Sequence, residues 1–257
     1  MQRPIVSILI LSALLAVAFS FSANDAKAKK DEKPKPPNVL FIAVDDLNDW
    51  TNFLGGYRGV KTPNLDSLAA RGTFFSRAYC SAPACNPSRA SLLCGIRPST
   101  SGVYYNPNPW RAQMPDAVTL PQHFMAAGYK VHGSGKIFHG GFPDPQSWQV
   151  YFARPKGMYP DNRPVNGIRP GSHFDWGPIA GGDRDMGDTQ VTDFGVNFLA
   201  GKHDKPFFLA VGIFRPHLPW YAPQKYFDRY PLEDIVLPKV KPDDHAEDVL
   251  EFVKGME

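Results

Sequence analysis

Two adjacent carboxylates, Asp45 and Asp46, close an apolar run, and well downstream a single thiol, Cys85, stands before Pro87, Ser88 and Arg89 in the stretch ACNPSR. Two further segments carry cations and imidazoles: GKIFH, Gly135–His139, and FRPHLPW, Phe214–Trp220. Side-by-side acids at a strand end suit a hard divalent cation, because Ca2+ and Mg2+ take oxygen ligands. Read alone, an Asp-Asp pair is more simply two solvated loop acids. A thiol with histidines elsewhere in the chain points to Cys–His nucleophilic catalysis. Yet CNPSR does not look like a cysteine-protease signature, and a thiolate matches two carboxylates and a hard metal poorly. Taken singly, Lys136, His139 and His217 also read as structural side chains; only their company makes them functional candidates.

These groups need a scaffold that brings them together, and the apolar patterning supplies one. NVLFIAVDD (38–46) is a near-continuous apolar run, the pattern of a buried parallel strand rather than an alternating edge strand. KPFFLAVGIF (205–214) repeats that pattern, and YKVHGSGKIFHGG reads as a short strand entering a glycine-rich loop. KTPNLDSLAARG predicts a helix with Thr62 as cap, Pro63 in its first turn and Gly72 closing it. Pro87 fixes a helical start that SRASLLCG continues to Gly95. Cys85 then lies at or just before a helix N-terminus, where free N–H groups and the helix dipole favour an anion. TLPQHFMAAG and DTQVTDFGVNFLAG read as two more helices, the second with Val191, Phe194, Phe198 and Leu199 at helical spacing. FFSRAYC (74–80) reads as a strand or extended segment, and residues 142–187 as a long irregular insertion rich in Gly, Pro, Asp and aromatics. Strand, helix and strand recurring in order predict an α/β fold with a mostly parallel central sheet flanked by helices. In such sheets ligands bind outside the carboxyl ends of the strands, which is where Asp45 and Asp46 fall.

The chain has 257 residues, 43% hydrophobic and 21% charged, with a formal net charge of +3. Much of the lysine excess sits in AKAKKDEKPKPP (26–37), so no basic face for nucleic acid is implied. One basic residue, Arg3, precedes an apolar run from Ile5 to Phe21 and then small residues, so residues 1–28 read as a secretory signal peptide. An uncleaved anchor is the rival reading; the Ser and Ala content favours cleavage and no stable membrane partner. Residues 29–37 read as a solvated Lys/Pro linker and 38–257 as the catalytic portion of a secreted or periplasmic protein. The three cysteines are Cys80, Cys85 and Cys94, an odd number, so one stays unpaired. Cys80 and Cys94 read as buried small hydrophobes, with a bridge between them left open. Of the remaining histidines, His123 and His132 read as packing or surface residues, and His173 as a group near substrate. Tyr104, Tyr105 and Trp110 read as core or rim aromatics, with stacking against a sugar ring as the alternative.

Cys-x-Pro-Ser-Arg followed by a helix and Gly resembles the signature of the sulfatases, in the alkaline-phosphatase-like superfamily. Together with NVLFIAVDDL, KTPNLDSLAARG, GKIFH and RPHLPW, in that order from about Asn38 onward, it is similar to the iduronate-2-sulfatase branch. The resemblance implies that Cys85 is oxidised to formylglycine by a maturase. An aldehyde hydrate carries two hydroxyls on one carbon, one to attack sulfur and one to expel sulfate later. It implies that Asp45 and Asp46, with residue 85 after conversion, bind Ca2+, and that Arg89 holds the nucleophile. It further implies that Lys136 binds a sulfate oxygen, that His139 takes a proton, and that His217 contacts sulfate or protonates the leaving alcohol. The substrate implied is a sulfated carbohydrate, with a uronate 2-O-sulfate most suggested; some phosphonate hydrolases share the cysteine motif.

The sequence also departs from that pattern. Sulfatases of this type complete the metal site with a later Asp followed by His or Asn and add a second sulfate-binding Lys, and no such segment is found here. Asp243–His245 is a poor substitute, because it lies in a polar stretch entering a helical pattern. The expectation is therefore the N-terminal part of a longer sulfatase, with the C-terminal part of the fold missing. Two alternatives stay open: a non-catalytic remnant that binds sulfated glycans weakly, and a phosphate or phosphonate ester hydrolase of the same superfamily.

Overall fold

A computed structural model describes residues 35–237 and 239, apart from 58, 158 and 169–173. Its strands are β1 (Val39–Val44), β2 (Lys130–Gly135), β3 (Val150–Phe152), β4 (Trp176–Ile179), β5 (Phe207–Ile213) and β6 (Trp220–Pro223). The principal helices are α1 (Pro63–Arg71), α2 (Cys85–Cys94), α3 (Leu120–Ala126) and α4 (Gly187–Ala200). All belong to a unit spanning 38–257, distinct from residues 1–37. The signal-peptide expectation, His173 and Asp243–His245 lie outside the described residues. No helix among the described residues is long and apolar enough to cross a membrane.

Four strands form a wholly parallel sheet in the order β1-β5-β2-β3, as the alternation of apolar strands and helices predicts. Side chains alternate across a strand, so β5 serves two cores. Phe208 and Ala210 join Ala90 and Leu93 of α2, Val131, Trp110 and Phe138 on one side. Phe207, Leu209 and Val211 meet Val191, Phe194 and Phe198 of α4 on the other. Burying a Leu or Phe of this kind contributes about 1.5–3 kcal/mol, and these two clusters clamp the sheet between the helices. Because the strands run in one direction, residues 45, 136 and 214 leave the sheet at the same edge. Gly135 makes that convergence close: its φ is +77°, and a side chain there would strike the backbone of Gly212. Lys136 N–H then donates to Gly212 O at 2.9 Å.

Helix boundaries follow the local chemistry. Thr119 and Gln122 form a reciprocal capping box on α3. Gly95 closes α2 at φ +70°, the left-handed conformation that glycine adopts without Cβ strain. Thr62 does cap α1 in position, but its hydroxyl donates to Asp66 Oδ1 at 3.1 Å instead of accepting from the first turn.

Four expectations are corrected. β1 is not buried on both faces: Leu40 and Ile42 are 45% and 53% exposed, because α4 packs over β5 and β2 on that side of the sheet and not over β1. FFSRAYC forms no strand, and its Phe75 and Tyr79 are exposed. Cys80 is exposed and Cys94 half-buried, and all three thiols are free, so neither a buried Cys80 nor a Cys80–Cys94 bridge is present. Burial pushes the Cys94 thiol up to about 11, which keeps it protonated and inert at neutral pH. The segment 142–187 is not wholly irregular either. It contributes β3 to the main sheet and β4 to a two-stranded parallel pair with β6, anchored on buried Asp175, which accepts from Tyr221 OH and from Val165, Asn166 and Trp176 N–H.

Candidate active site

The chain end of β1 separates its two acids. Asp45 N–H donates to Ile213 O at 3.0 Å, extending the β1–β5 ladder by one residue, and its carboxylate turns inward at 6% exposure. Asp46 takes a left-handed φ of 55°, which an Asp tolerates better than most residues, and its side chain is 56% exposed.

Buried Asp45 is held by two cations. Arg89 Nη2 donates to Oδ1 at 2.6 Å, and Lys136 Nζ donates to Oδ2. Burial alone would raise this carboxyl, but the Lys136 hydrogen bond and the Arg89 charge outweigh it and hold Asp45 below the usual carboxylate range. Arg89 lies one turn into α2, so the helix carries it inward on the face opposite solvent. Its Nη1 donates to Lys136 O and to Ile137 O, the latter at 2.8 Å, which ties α2 to the GKIFH loop. Arg89 is thus no exposed helix cation.

Cys85 is the first residue of α2, with Ala84 as N-cap. Its Sγ lies 3.6 Å from Lys136 Nζ. Asn86 fixes this helix start in a way the sequence reading missed. Its N–H donates to Asn106 Oδ1 at 2.9 Å and its Nδ2 to Asn108 O at 2.6 Å, pinning residues 106–108 to the start of α2. The signal was present in YYNPNP, a loop dense in asparagine, but nothing local identified its partner.

His217 completes the cluster from the loop after β5. Its Nδ1 donates to Leu218 O at 2.5 Å, which leaves Nε2 as the free nitrogen, 3.9 Å from Asp46 Oδ2. One ligand atom each from Asp45, Cys85 and His217 lie within 4.8 Å of one another. His139 sits beyond Lys136 on the same loop, with Nδ1 buried and unpartnered among the described residues. Burial, then the charges of Lys136 and Arg89, push it below the ordinary histidine range, so it is neutral at neutral pH and able to accept a proton.

All seven residues singled out in the sequence, Asp45, Asp46, Cys85, Arg89, Lys136, His139 and His217, therefore gather at the carboxyl edge of the sheet. His132 instead packs against Phe198 at 4.7 Å between ring centres, and Trp110 stacks on Phe138 in the core. Tyr104 and Tyr105 are exposed. Phe214 was not foreseen, yet Lys136 Nζ lies over its ring at 4.7 Å. The donor set as it stands, with carboxylate, thiol and imidazole atoms, suits Ca2+ poorly, which takes six to eight oxygens. Replacing sulfur by oxygen at residue 85 would give two oxygen donors in this group, Asp45 and residue 85, while Asp46 stands outside it with Oδ2 3.9 Å from His217 Nε2.

A cavity of about 740 Å³ opens beside this cluster, lined by Lys136, His139 and His217. A second, of about 850 Å³, is lined by Asp45, Asp46, Cys85 and Arg89. Asn106 borders both. Buried cations, a neutral imidazole and two flanking concavities suit an anionic ligand.

Comparison with known proteins agrees with that class. The sulfatase family profile matches residues 37–241, and the chain belongs to the sulfatase family. It is 38% identical over 249 residues to a sulfatase of Formosa agariphila, covering 90% of this chain and 49% of that protein. It is 34% identical over 251 residues to the iduronate 2-sulfatase of Mus musculus, covering 93% and 45%. The chain spans about half the length of these curated relatives. Its fold matches the crystal structure of the phosphonate monoester hydrolase of Agrobacterium radiobacter with a TM-score of 0.63, at 24% identity, over 84% of this chain and 48% of that one.

Proposed function

We propose that this chain carries the nucleophile-bearing part of a formylglycine- and calcium-dependent sulfatase that removes sulfate from a sulfated sugar, a uronate 2-O-sulfate in particular. The observation that carries the reading is the convergence of Asp45, Cys85, Arg89, Lys136 and His217 at one sheet edge. The uronate class is supported by the 34% identity to mouse iduronate 2-sulfatase. The N-terminal sequence 1–28 supports a secreted or periplasmic setting, and conversion of Cys85 calls for a maturase as partner.

Converted to formylglycine, position 85 would supply, as the aldehyde hydrate, a hydroxyl nucleophile, and Ca2+, which Asp45, Asp46 and residue 85 would hold, would supply positive charge against sulfate oxygens. The protein's own side chains do the remaining work. Lys136, 3.6 Å from the Cys85 side chain, is placed to bind a sulfate oxygen as a point charge. Arg89 locks Asp45 and the Lys136 backbone, so the anion-binding groups are fixed before substrate arrives and need no reorganisation. Neutral His139 is able to accept a proton during turnover. His217, with Nδ1–H donating to Leu218 O, presents Nε2 to the leaving alcohol and donates a proton from it in the imidazolium form.

Two comparisons test this. Aryl sulfate should be hydrolysed faster than the matching phosphate or phosphonate esters, with chelation removing the activity and calcium restoring it. A preference for the phosphonate ester would overturn the sulfatase reading in favour of the neighbouring hydrolase class. His217→Ala should slow a sugar sulfate by about 10²-fold and an activated nitrophenyl sulfate far less, because only the poor leaving group needs a proton. Equal losses on both would remove His217 from the proton-donor role.

A further inference from the structure

The 740 Å³ cavity contains a cation that the proposed hydrolysis does not use. We infer that Arg154 is a specificity residue, the receptor for a carboxylate on the same sugar ring that carries the sulfate; this rests on the sulfatase reading and deepens it.

Arg154 lines the cavity with Lys136, His139 and His217, and its side chain is 16% exposed. Two contacts fix it. Its Nε donates to Asp188 Oδ1 at 3.1 Å, and its guanidinium lies 4.1 Å from the centre of the Phe214 ring. Asp188 is itself immobilised, because Oδ1 also accepts from Phe214 N at 3.0 Å and Oδ2 accepts from Arg215 N at 2.8 Å. The carboxylate at the start of α4 thus ties the end of β5 to Arg154 and sets the angle of its fork. Neither Nη1 nor Nη2 makes a hydrogen bond among the described residues, so two donors of a largely buried cation remain unused.

The charges around it do not fill that role. Neighbouring Arg215 donates from Nη1 to His217 O at 2.9 Å and is a second positive group beside the one Asp188 carboxylate. Asp144, the acid in the cavity wall, is engaged by both Arg111 Nε and Nη2, at 3.1 and 2.7 Å, and by Ser147. The wall near Arg154 therefore keeps a net positive charge. A planar fork with paired free donors matches a carboxylate bidentately, which a lysine in its place would not. Lys136 and Arg154 pack on the same Phe214 ring, at 4.7 and 4.1 Å from its centre, so one sugar ring with a sulfate and a carboxylate can engage both. A cavity of this volume falls in the usual range for a small ligand of that size.

Arg154→Gln is assayed on three substrates: a uronate 2-O-sulfate, the same sugar with its carboxyl reduced to the alcohol, and nitrophenyl sulfate. KM for the uronate should rise by about tenfold to a hundredfold, the loss expected for one charge-assisted bidentate pair, with kcat little changed. The reduced sugar and the aryl sulfate should be unaffected, and Arg154→Lys should recover part of the loss. An equal loss on all three substrates would mark Arg154 as structural, and an unchanged uronate KM would show it unused; either overturns the inference. A second measurement needs no variant. Free uronic acid should inhibit aryl sulfate hydrolysis by the wild-type protein at least about tenfold better than the reduced sugar, and equal inhibition would contradict the assignment. Failure of the wild-type protein on every sulfate ester is a separate outcome, and it overturns the sulfatase reading together with this one.

Discussion

Cys85→Ala is expected to lower sulfate ester hydrolysis by at least about 10³-fold, a loss of roughly 4 kcal/mol of transition-state stabilisation, with little change in folding. The two effects separate because of where residue 85 sits. Helix α2 is started by Pro87, by the Asn86 contacts to Asn106 and Asn108, and by the burial of Ala90 and Leu93, none of which uses the thiol. On the proposed reading the thiol, 3.6 Å from the Lys136 ammonium, is the precursor of the nucleophile. Cys85→Ser should be almost as damaging, since a plain hydroxyl has no second oxygen with which to release sulfate. Steady-state rates on an aryl sulfate, with the unfolding midpoint as control, check both variants. A Cys85→Ala protein within tenfold of wild type would show that residue 85 is not the nucleophile.

Arg89→Met should have the largest effect on stability, about 3 kcal/mol, because it removes one of the two cations paired with buried Asp45 and leaves buried acceptors without their donor. Arg89 and Asp45 are 7% and 6% exposed, and the lost guanidinium also strands the carbonyls of Lys136 and Ile137. Methionine keeps much of the side-chain volume, so the change reports charge and hydrogen bonding more than a cavity. The pH dependence has a definite sign. Asp45 titrates lower in the folded chain than in the unfolded one, since Lys136 and Arg89 outweigh burial. Its ionised form therefore stabilises the fold above the ordinary carboxylate range, and that contribution disappears as pH falls through the lowered folded value. Without Arg89 the difference between wild type and variant should be largest at neutral pH and shrink toward strong acid. Urea unfolding in the presence of a chelator, so that only the protein's own charges act, measures it. A neutral-pH loss under about 1 kcal/mol would mean that Lys136 alone suffices for Asp45.

The parts of this molecule that were legible in the sequence are those written in local signals. β5 is a run of apolar residues buried almost throughout, and its neighbours follow from apolar runs separated by capped helices. The placement of Cys85 at a helix start follows from Pro87 and Gly95, and the class of chemistry from the company of five short motifs. What escaped depends on contacts far apart in the chain. β1 looks buried by composition, yet a strand's outer face is decided by what lies beyond it, and Leu40 and Ile42 are left exposed among the described residues. β3 is only three residues long and is recruited by pairing with β2, which no periodicity over three residues can announce. Asn86, Phe214 and Arg154 acquire their roles from distant partners, Asn106 and Asn108 20 and 22 positions on for Asn86, Lys136 78 positions back for Phe214 and Asp188 34 positions on for Arg154, and single-residue propensity carries no trace of that. Cys80 failed as a buried hydrophobe for a related reason: a thiol is buried only if its segment packs, and the 74–80 segment stays on the surface.

The most direct test of the central claim is the mass of the tryptic peptide that contains residue 85, taken from catalytically active protein after alkylation of free thiols. The account predicts the mass of an aldehyde, or its hydrate, at position 85, with the exposed Cys80 in the same peptide alkylated normally. A fully alkylated Cys85 in protein that hydrolyses sulfate esters would contradict it.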